Sequence, residues 1–355
     1  MIDEIISSKT AINPTLYNEY SSNLRKAVDR VFAEDNDSGL SDQLRANVSR
    51  FAAYKAYHAT EQVREQVKQD GVLDEGKKVL HAFNRYQAAE YNTTVGRCRS
   101  AKQFAEFLES DNARLFPNLR WLPSRSATPR EEHMAFYDRV WAKDDPFWDT
   151  NQPANLWNCK CDWEETSDAC TSDNPNTPIR HNGLEGNPAR TGEVFTDKCS
   201  YVKGAGTNKK EKSKIEKLCQ LANKRQIEHL IPKTNTTCTI NGKKFDVGFD
   251  VGFNEVTQSM LGDKNVFWLK NQILPTIQKY IQNAEYIGRK RSDHTHNSRK
   301  ETIRLKKATE HFYYFQSKLP NGQNICIQIG KYKPEKKGGA HYFYTITKNI
   351  PEGIE

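Results

Sequence analysis

One stretch near the middle of the chain restricts most strongly what this sequence can fold into. It runs from Asp144 to Cys161, beginning Asp-Asp-Pro-Phe-Trp-Asp and ending Asn-Leu-Trp-Asn-Cys-Lys-Cys. Its prolines and polar residues disfavour a long helix or strand, because proline removes a backbone donor and restricts the residue before it. Tryptophan and cysteine are usually buried, so the stretch is too rich in them for an ordinary surface loop. We therefore expect a small irregular Cys/Trp module here.

The chain before this module has the apolar period of helices. Apolar residues recur at steps of three and four over residues 13–35 and 40–69, and a third helix is predicted from about Asp74 to Leu108. The polar faces of these helices are wide, which favours an elongated helical region. A fourth helix is predicted to start with Thr128 as N-cap and Pro129 in its first turn, and to carry His133 and Val140.

The chain after the module combines helix and strand patterns. A lysine-rich helix is predicted over residues 208–232, an extended segment over 236–254 and an amphipathic helix over 266–284. Strands predicted over 311–317, 324–330 and 341–348 would form a short antiparallel meander. Ile325, Ile327 and Ile329 share one face of the middle strand, which should lie on the helix, and Cys326 lies on the other face.

These patterns predict a multidomain α+β protein. A chain of 355 residues is longer than one hydrophobic core usually supports. We expect an elongated helical N-terminal region over residues 1–81, the Cys/Trp module over 82–203, a basic helical linker over 204–234, and a small antiparallel sheet packed on a helix over 235–355. The sequence starts without the features of a signal peptide, and no apolar run reaches about 20 residues. We therefore expect a soluble, intracellularly made protein with no membrane partner.

The cysteines suggest a metal site or free buried thiols. Eight cysteines without a secretion signal argue against a disulfide framework. Cys159 and Cys161 could bind one zinc ion, and a tetrahedral ligand set could be completed by His133, Cys170, His181 or Cys199. The alternative is free thiols in a small core. Catalysis by these cysteines is disfavoured, since Asp162, Glu164 and Glu165 nearby should raise the pKa of the thiols.

The charge of the chain is unevenly distributed. Residues 204–355 contain 27 Lys and Arg against 14 Asp and Glu, whereas residues 1–203 contain 26 against 31. This asymmetry favours a polyanionic partner for the second part, with nucleic acid as the first candidate. A solvated lysine-rich surface is the alternative.

The C-terminal part contains the residue types that metal-independent RNA cleavage needs. One group must take the proton of the ribose 2′-hydroxyl, another must protonate the leaving oxygen, and cations must stabilise the phosphate. The candidates for proton transfer are His294, His296 and His341, those for phosphate binding are Arg299 and Lys318, and those for positioning are Tyr344 and Thr345. This chemistry requires no cofactor. The alternative is a solvated basic loop, and no phosphate-binding glycine loop or zinc-protease motif is present.

Residues 82–202 carry several short motifs, namely Pro129 with His133, Asp144-Asp145-Pro146-Phe147-Trp148, Pro153, Trp157-Asn158-Cys159-Lys160-Cys161, Gly186-Asn187-Pro188 and Gly192-Glu193-Val194-Phe195. Together they resemble the phage Mu F-like head morphogenesis family of minor capsid proteins. The resemblance implies a protein of the phage virion whose partners are head and portal proteins.

Residues 235–351 contain a predicted helix, then Asn283-Ala284-Glu285-Tyr286, then strands that end in Tyr342-Phe343-Tyr344-Thr345-Ile346-Thr347. In this order they look like the phage-associated nucleases of the barnase, EndoU, colicin and RelE-like group. This likeness implies a toxin or effector ribonuclease that acts in the host cytoplasm after delivery and has an immunity protein as partner. The alternative function is purely structural, with the basic tail binding packaged DNA without cutting it.

Overall fold

The chain folds into two compact units, and each is described by itself. The computed structural model describes residues 1–33, 39–109, 114–175, 182–227, 230–249, 264–292, 308–319, 322–347 and 349–355. Unit 1 is Met1–Ala222 and unit 2 is Asn223–Glu355. Helices dominate the first part of unit 1 and an antiparallel-rich sheet dominates unit 2, so the predicted multidomain α+β class is confirmed.

Five helices open unit 1: α1 Ile2–Ser7, α2 Pro14–Phe32, α3 Gly39–Asp70, α4 Leu73–Asn84 and α5 Gln87–Glu109. Asn13 caps α2 by accepting a hydrogen bond from the Leu16 amide at 3.0 Å, and Pro14 follows at the first helical position. Gly71 ends α3 with a φ of 67°, a left-handed conformation that glycine adopts without a steric penalty.

The third predicted helix is in fact two helices. The break between α4 and α5 lies at Arg85 and Tyr86. The Asn84 side chain beside it accepts hydrogen bonds from the Tyr20 hydroxyl at 2.8 Å and the Gln87 amide at 3.1 Å. These tertiary contacts fix a turn that the apolar period alone does not indicate.

The middle of α3 is buried on all sides, although its sequence contains charged residues. Residues 48–56 are all buried, including Arg50 and Lys55. Arg50 donates to Asp197 at 2.7 Å and to Glu216 at 3.0 Å, and Lys55 donates to Glu90 at 2.5 Å. Paired in this way, both cations can lie in the interior despite the cost of removing them from water.

The rest of unit 1 consists of short elements around a three-stranded antiparallel sheet. In chain order they are β1 Asn118–Leu122, α6 Glu131–Met134, β2 Val140–Ala142, α7 Phe147–Thr150, β3 Asp162–Thr166, α8 Pro188–Thr191 and α9 Ser200–Lys203. The longer helix α10, Lys209–Ile227, follows, and its last five residues belong to unit 2. The strand order is β2-β1-β3. The helix predicted from Thr128 to Val140 is wrong in extent, because α6 is a single turn without a side-chain cap and Val140 begins a strand.

The Cys/Trp module has its own aromatic core. Its members are Phe104, Leu119, Trp121, Phe136, Trp141, Phe147, Trp148 and Trp163. Asp145 accepts a hydrogen bond from the Phe147 amide at 2.8 Å and so starts the single turn of α7. This turn directs Phe147 and Trp148 inward, and the Trp148 indole donates to the Ala142 carbonyl at 2.8 Å. The Asp-Asp-Pro-Phe-Trp sequence is therefore a turn that places two rings in the core.

Arg97 of α5 joins the module to the helices. Its side chain is completely buried and donates to Asn155 Oδ1 at 2.6 Å and the Leu184 carbonyl at 2.7 Å. Weaker contacts at 3.2 to 3.3 Å reach the carbonyls of Glu185, Gly186 and Glu193. Burial lowers the pKa of Arg97, so these oxygens are what stabilise its charge.

Unit 2 is a six-stranded sheet with helices. Its described elements are β4 Thr236–Ile240, β5 Lys243–Gly248, α11 Lys264–Ile273, α12 Ile277–Gln282, β6 Glu285–Arg291, β7 Thr309–Lys318, β8 Asn324–Tyr332 and β9 His341–Thr347. Pro275 lies in a 3₁₀ turn between α11 and α12. The strand order is β4-β5-β9-β8-β7-β6, with only the β5–β9 pair parallel.

The predicted meander is present as β7-β8-β9, inside this larger sheet. Helix α11 contacts it where Lys270 donates to the Ile346 carbonyl at 2.9 Å. Ile325, Ile327 and Ile329 are buried, as expected for a face that packs on a helix. Cys326 is also buried, because its face carries a second cluster with Phe312, Tyr314, Tyr332, Tyr342 and Tyr344. Residues 285–291 form the edge strand β6, which the apolar pattern of the sequence did not predict.

Candidate functional site

The two cysteines of the Cys-Lys-Cys motif lie beside a buried histidine. His133 Nδ1 is 3.2 Å from Cys159 Sγ and 3.5 Å from Cys161 Sγ. The ligand atoms of the three residues all lie within 4.8 Å of one another. The structure thus brings together the three residues that the sequence suggested as metal ligands.

Packing and backbone hydrogen bonds position the three side chains. The His133 ring meets Trp121 edge to face at 5.1 Å, and its Nε2 atom is buried with no hydrogen-bond partner among the described residues. The Asn158 amide donates to Thr93 of α5 at 3.1 Å, which holds the loop that carries the cysteines. The histidine therefore presents Nδ1, not Nε2, to the sulfur atoms.

The two thiols have opposite pKa shifts. The pKa of Cys161 is lowered to about 5, first by a hydrogen bond from the Cys159 thiol and then by the hydrogen bond and charge of His133. The same contact raises the pKa of Cys159. The module therefore holds one thiolate and one thiol at neutral pH.

The expectation that the neighbouring carboxylates raise both thiol pKa values is wrong for Cys161. Each of these carboxylates has a cationic partner: Asp162 pairs with Arg125 at 3.6 Å, Glu164 with Arg120 at 2.7 Å, and Glu165 with Lys143. Their charges are largely offset on the strand, whereas the His133 ring lies directly against the sulfur atoms.

The spacing of the three atoms fits three corners of a tetrahedral zinc site. Zinc bonds of ordinary length put a nitrogen and a sulfur ligand about 3.6 Å apart, close to the separations found here. Of the other residues suggested as ligands, Cys170 contacts Asn118 Oδ1 at 3.5 Å and Cys199 packs on Gly183, so neither joins the group. His181 lies outside the described residues.

Of the suggested catalytic residues of unit 2 that the structure describes, Lys318, Tyr344 and Thr345 lie away from His341. His294, His296 and Arg299 lie outside the described residues. Lys318, which pairs with Asn324, is the last residue of β7. It lies seven residues along the strand from His311, a distance of about 23 Å. Tyr344 packs on Phe312 at 4.7 Å, and Thr345 pairs with Gln328; both are on the opposite sheet face from His341.

His341 instead belongs to a row of polar side chains that crosses four strands. Arg291 pairs with His311, His311 with Lys331, and Lys331 with His341. Residues directly opposite one another point to the same face of a sheet, so two histidines and two cations lie side by side. We call Arg291, His311, Lys331 and His341 the polar row.

Aromatic rings and one carboxylate surround the polar row. The His341 ring lies 5.0 Å from Phe245 and 5.5 Å from Tyr313, and the Lys331 ammonium lies 3.0 Å from Glu310. Burial, and secondarily the charge of Lys331, lower the pKa of His341. His341 is therefore a neutral imidazole at neutral pH, which can accept a proton.

Sequence reasoning placed His311 at the start of a strand but missed its partners. Lys331 and Arg291 enter the row only through the pairing register, which shifts at Thr309/His311 and at Gln328/Ile329. The alternation of side chains along β7 and β8 indicates to which face of the sheet His311 and Lys331 point, but it does not show that the two residues lie opposite each other.

Comparisons with known proteins give one partial similarity. Over 85 residues the chain is 31% identical to the putative capsid assembly protein F of Escherichia phage Mu. The matched segment covers 24% of this chain and 19% of that protein, so it spans about a fifth of the length of the phage protein. No family model and no solved structure matches the chain. Among the described helices, none is long and apolar enough to cross a membrane.

Proposed function

We propose that this chain is a phage head protein whose unit 1 takes part in capsid assembly. The observation that carries the proposal is the 31% identity to a protein named for capsid assembly. The proposed partners are other head and portal proteins, and the proposed location is the virion. Unit 1 suits a structural role because the buried cations Arg50 and Lys55 are paired with carboxylates and the module is fixed by hydrogen bonds such as that of Arg97 to Asn155.

We further propose that unit 2 cleaves RNA at the polar row. Neutral His341 would take the proton of the ribose 2′-hydroxyl, and His311 would protonate the leaving 5′-oxygen. The 2′-oxygen would then form a bond to phosphorus as the bond to the 5′-oxygen breaks, leaving a 2′,3′-cyclic phosphate. Lys331 and Arg291 would stabilise the charge on the phosphate. No metal is needed for these steps.

The polar row carries this proposal because it joins acid–base groups and cations on one face. The backbones of β7 and β9 are two strand spacings apart, about 9.6 Å, which lets two imidazoles converge on one phosphate from either side. In a virion such an activity would act in the host cytoplasm after delivery, and a cell that makes the protein would need an immunity partner.

A second candidate for unit 2 is binding of packaged DNA without cleavage. The excess of Lys and Arg in residues 204–355 favours it, since neutralising phosphates is enough for affinity. The two functions differ in what happens to RNA and in the need for the histidines.

We also propose a structural zinc ion held by His133, Cys159 and Cys161. Its support is the convergence of three ligand atoms in a folded module that has few long elements. A zinc ion there would tie α6 to the loop before β3 and add to the stability of the fold.

The head proposal predicts that the protein is a component of phage particles. When the strain that encodes it is induced and its particles are purified on a density gradient, peptides from both units should be found in the head fraction. Recovery of the protein only in the soluble fraction, while the major capsid protein sediments, would contradict this proposal.

The ribonuclease proposal predicts that the full-length chain degrades total RNA in EDTA and leaves cyclic phosphate ends. His311→Ala and His341→Ala should each reduce the rate at least about 100-fold, the usual contribution of general acid–base catalysis. Lys318→Ala, at the other end of β7, is the matched control and should cut normally.

The pH dependence gives a further check on the same reaction. Because the pKa of His341 is lowered, the rate should stay high until the pH falls below the ordinary histidine value of about 6.5. Lys331→Gln removes a charge that lowers this pKa, so it should move the acidic limb to higher pH. If several RNA substrates stay intact, and the histidine variants still bind DNA in a salt-sensitive way, the results would favour DNA binding without cleavage.

The zinc proposal predicts one zinc ion per chain in native mass spectrometry. Cys159→Ser and Cys161→Ser should each weaken zinc binding more than about 100-fold, which exceeds the loss typical of a residue that only hydrogen-bonds to a ligand. Cys170→Ser is the control and should leave zinc binding unchanged. Equal zinc affinity in all three variants would refute the site.

A further inference from the structure

Unit 1 contains a cavity that none of these functions uses. It has a volume of about 600 Å³, within the range of ligand-binding clefts. Its walls are mostly apolar and include the rings of Phe51, Tyr86, Trp157 and Tyr201 together with Ala89. Such a cavity can bury a large side chain.

The aromatic walls are held in place from behind. Phe51 stacks on Phe195 with ring centres 3.9 Å apart, and Trp157 stacks on the same ring at 5.7 Å. Tyr201 meets Phe51 edge to face at 5.3 Å. In contrast, Tyr86 is 49% exposed, so one wall of the cavity faces solvent. The cavity is therefore preformed and accessible.

The charges around the cavity are positive at its mouth. Glu90 is the single carboxylate among its described lining residues, and it is engaged by Lys55 at 2.5 Å and by the Tyr201 hydroxyl at 3.4 Å. Lys198 and Lys203 are exposed lining residues, and in the described part of the chain the carboxylate nearest to Lys198 is the distant one of Glu185, at 3.9 Å. An incoming group thus meets apolar rings below and ammonium groups at the rim.

We propose that this cavity docks an acidic segment of a protein partner, which inserts an aromatic side chain between the rings. An aromatic anchor in a desolvated pocket, ringed by complementary charge, is the usual centre of a protein interface. A nucleotide fits less well, because the lining offers few groups, chiefly Asn182 and Ser200, to bind the polar edge of a base. The proposal is independent of the ribonuclease and zinc proposals.

Peptide display on the full-length protein tests the proposal. A random heptapeptide library selected on the immobilised chain should enrich peptides with one Trp, Tyr or Phe flanked by Asp or Glu. The best peptide is then synthesised with a fluorophore, and its affinity is measured by fluorescence anisotropy. Enrichment of basic or non-aromatic peptides, or of none, would overturn the proposal.

Three variants test whether the peptide binds in this cavity. Ala89→Trp fills the cavity without removing a wall and should weaken peptide binding more than 10-fold. Lys198→Glu/Lys203→Glu should weaken binding by a similar factor, and added salt, which should weaken binding to the unmodified chain, should no longer do so in this variant. Lys77→Glu/Lys78→Glu makes the same change of charge on α4 and should leave the affinity unchanged. Circular dichroism confirms that each variant is folded.

Unchanged affinity in folded Ala89→Trp would overturn the assignment of the cavity. A parallel titration with AMP covers the alternative ligand. If AMP binds saturably, and both Ala89→Trp and the Lys198/Lys203 variant abolish this binding, the ligand of the cavity is a nucleotide. This result would contradict the proposal.

Discussion

The architecture of unit 1 depends on one buried cation. Among the described residues Arg97 has no carboxylate partner, and its charge is held by the Asn155 side chain and by four backbone carbonyls from residues 184–193. Hydrogen bonds to a charged donor are stronger than neutral ones, and an unmet buried charge is very unfavourable. The irregular segment must therefore keep the one conformation that brings these carbonyls to the guanidinium.

Helix α5 acts as a template for the rest of the Cys/Trp module. Besides Arg97 it provides Thr93, which binds the loop before the cysteines, and Gln103, which accepts from the Trp163 indole at 3.2 Å. Gly96 lets the module approach closely, since a Cβ there would lie 3.1 Å from that of Ala154. This support positions the loop that carries Cys159 and Cys161, and packing on Trp121 positions His133 beside them, which makes the module suitable for a metal.

Sequence alone predicted the long elements and missed what tertiary contacts decide. The sequence predicted helices α2, α3 and α10 and strands β7 to β9 from their apolar period, because each has apolar residues at the spacing of its own secondary structure. The break at Arg85 and the single turn at His133 could not be predicted, since side-chain hydrogen bonds and ring packing set them. Arg97 was overlooked for a similar reason: an arginine in a helix ordinarily indicates the solvent face. The three proposed zinc ligands could be predicted from the sequence. The polar row could not, because the strand register decides which residues lie opposite one another.

Urea unfolding of Arg97 variants tests the central role of this side chain most directly. Tryptophan fluorescence reports chiefly on unit 1, which contains five of the six tryptophans: Trp121, Trp141, Trp148, Trp157 and Trp163. Arg97→Met should lower the free energy of unfolding by about 3 kcal/mol or more, because it leaves several buried carbonyls without a donor. Arg97→Lys should recover only part of this loss, since one ammonium cannot reach all the acceptors. Arg99→Met, an exposed position two residues on, is the control. An Arg97→Met variant as stable as this control would contradict the account.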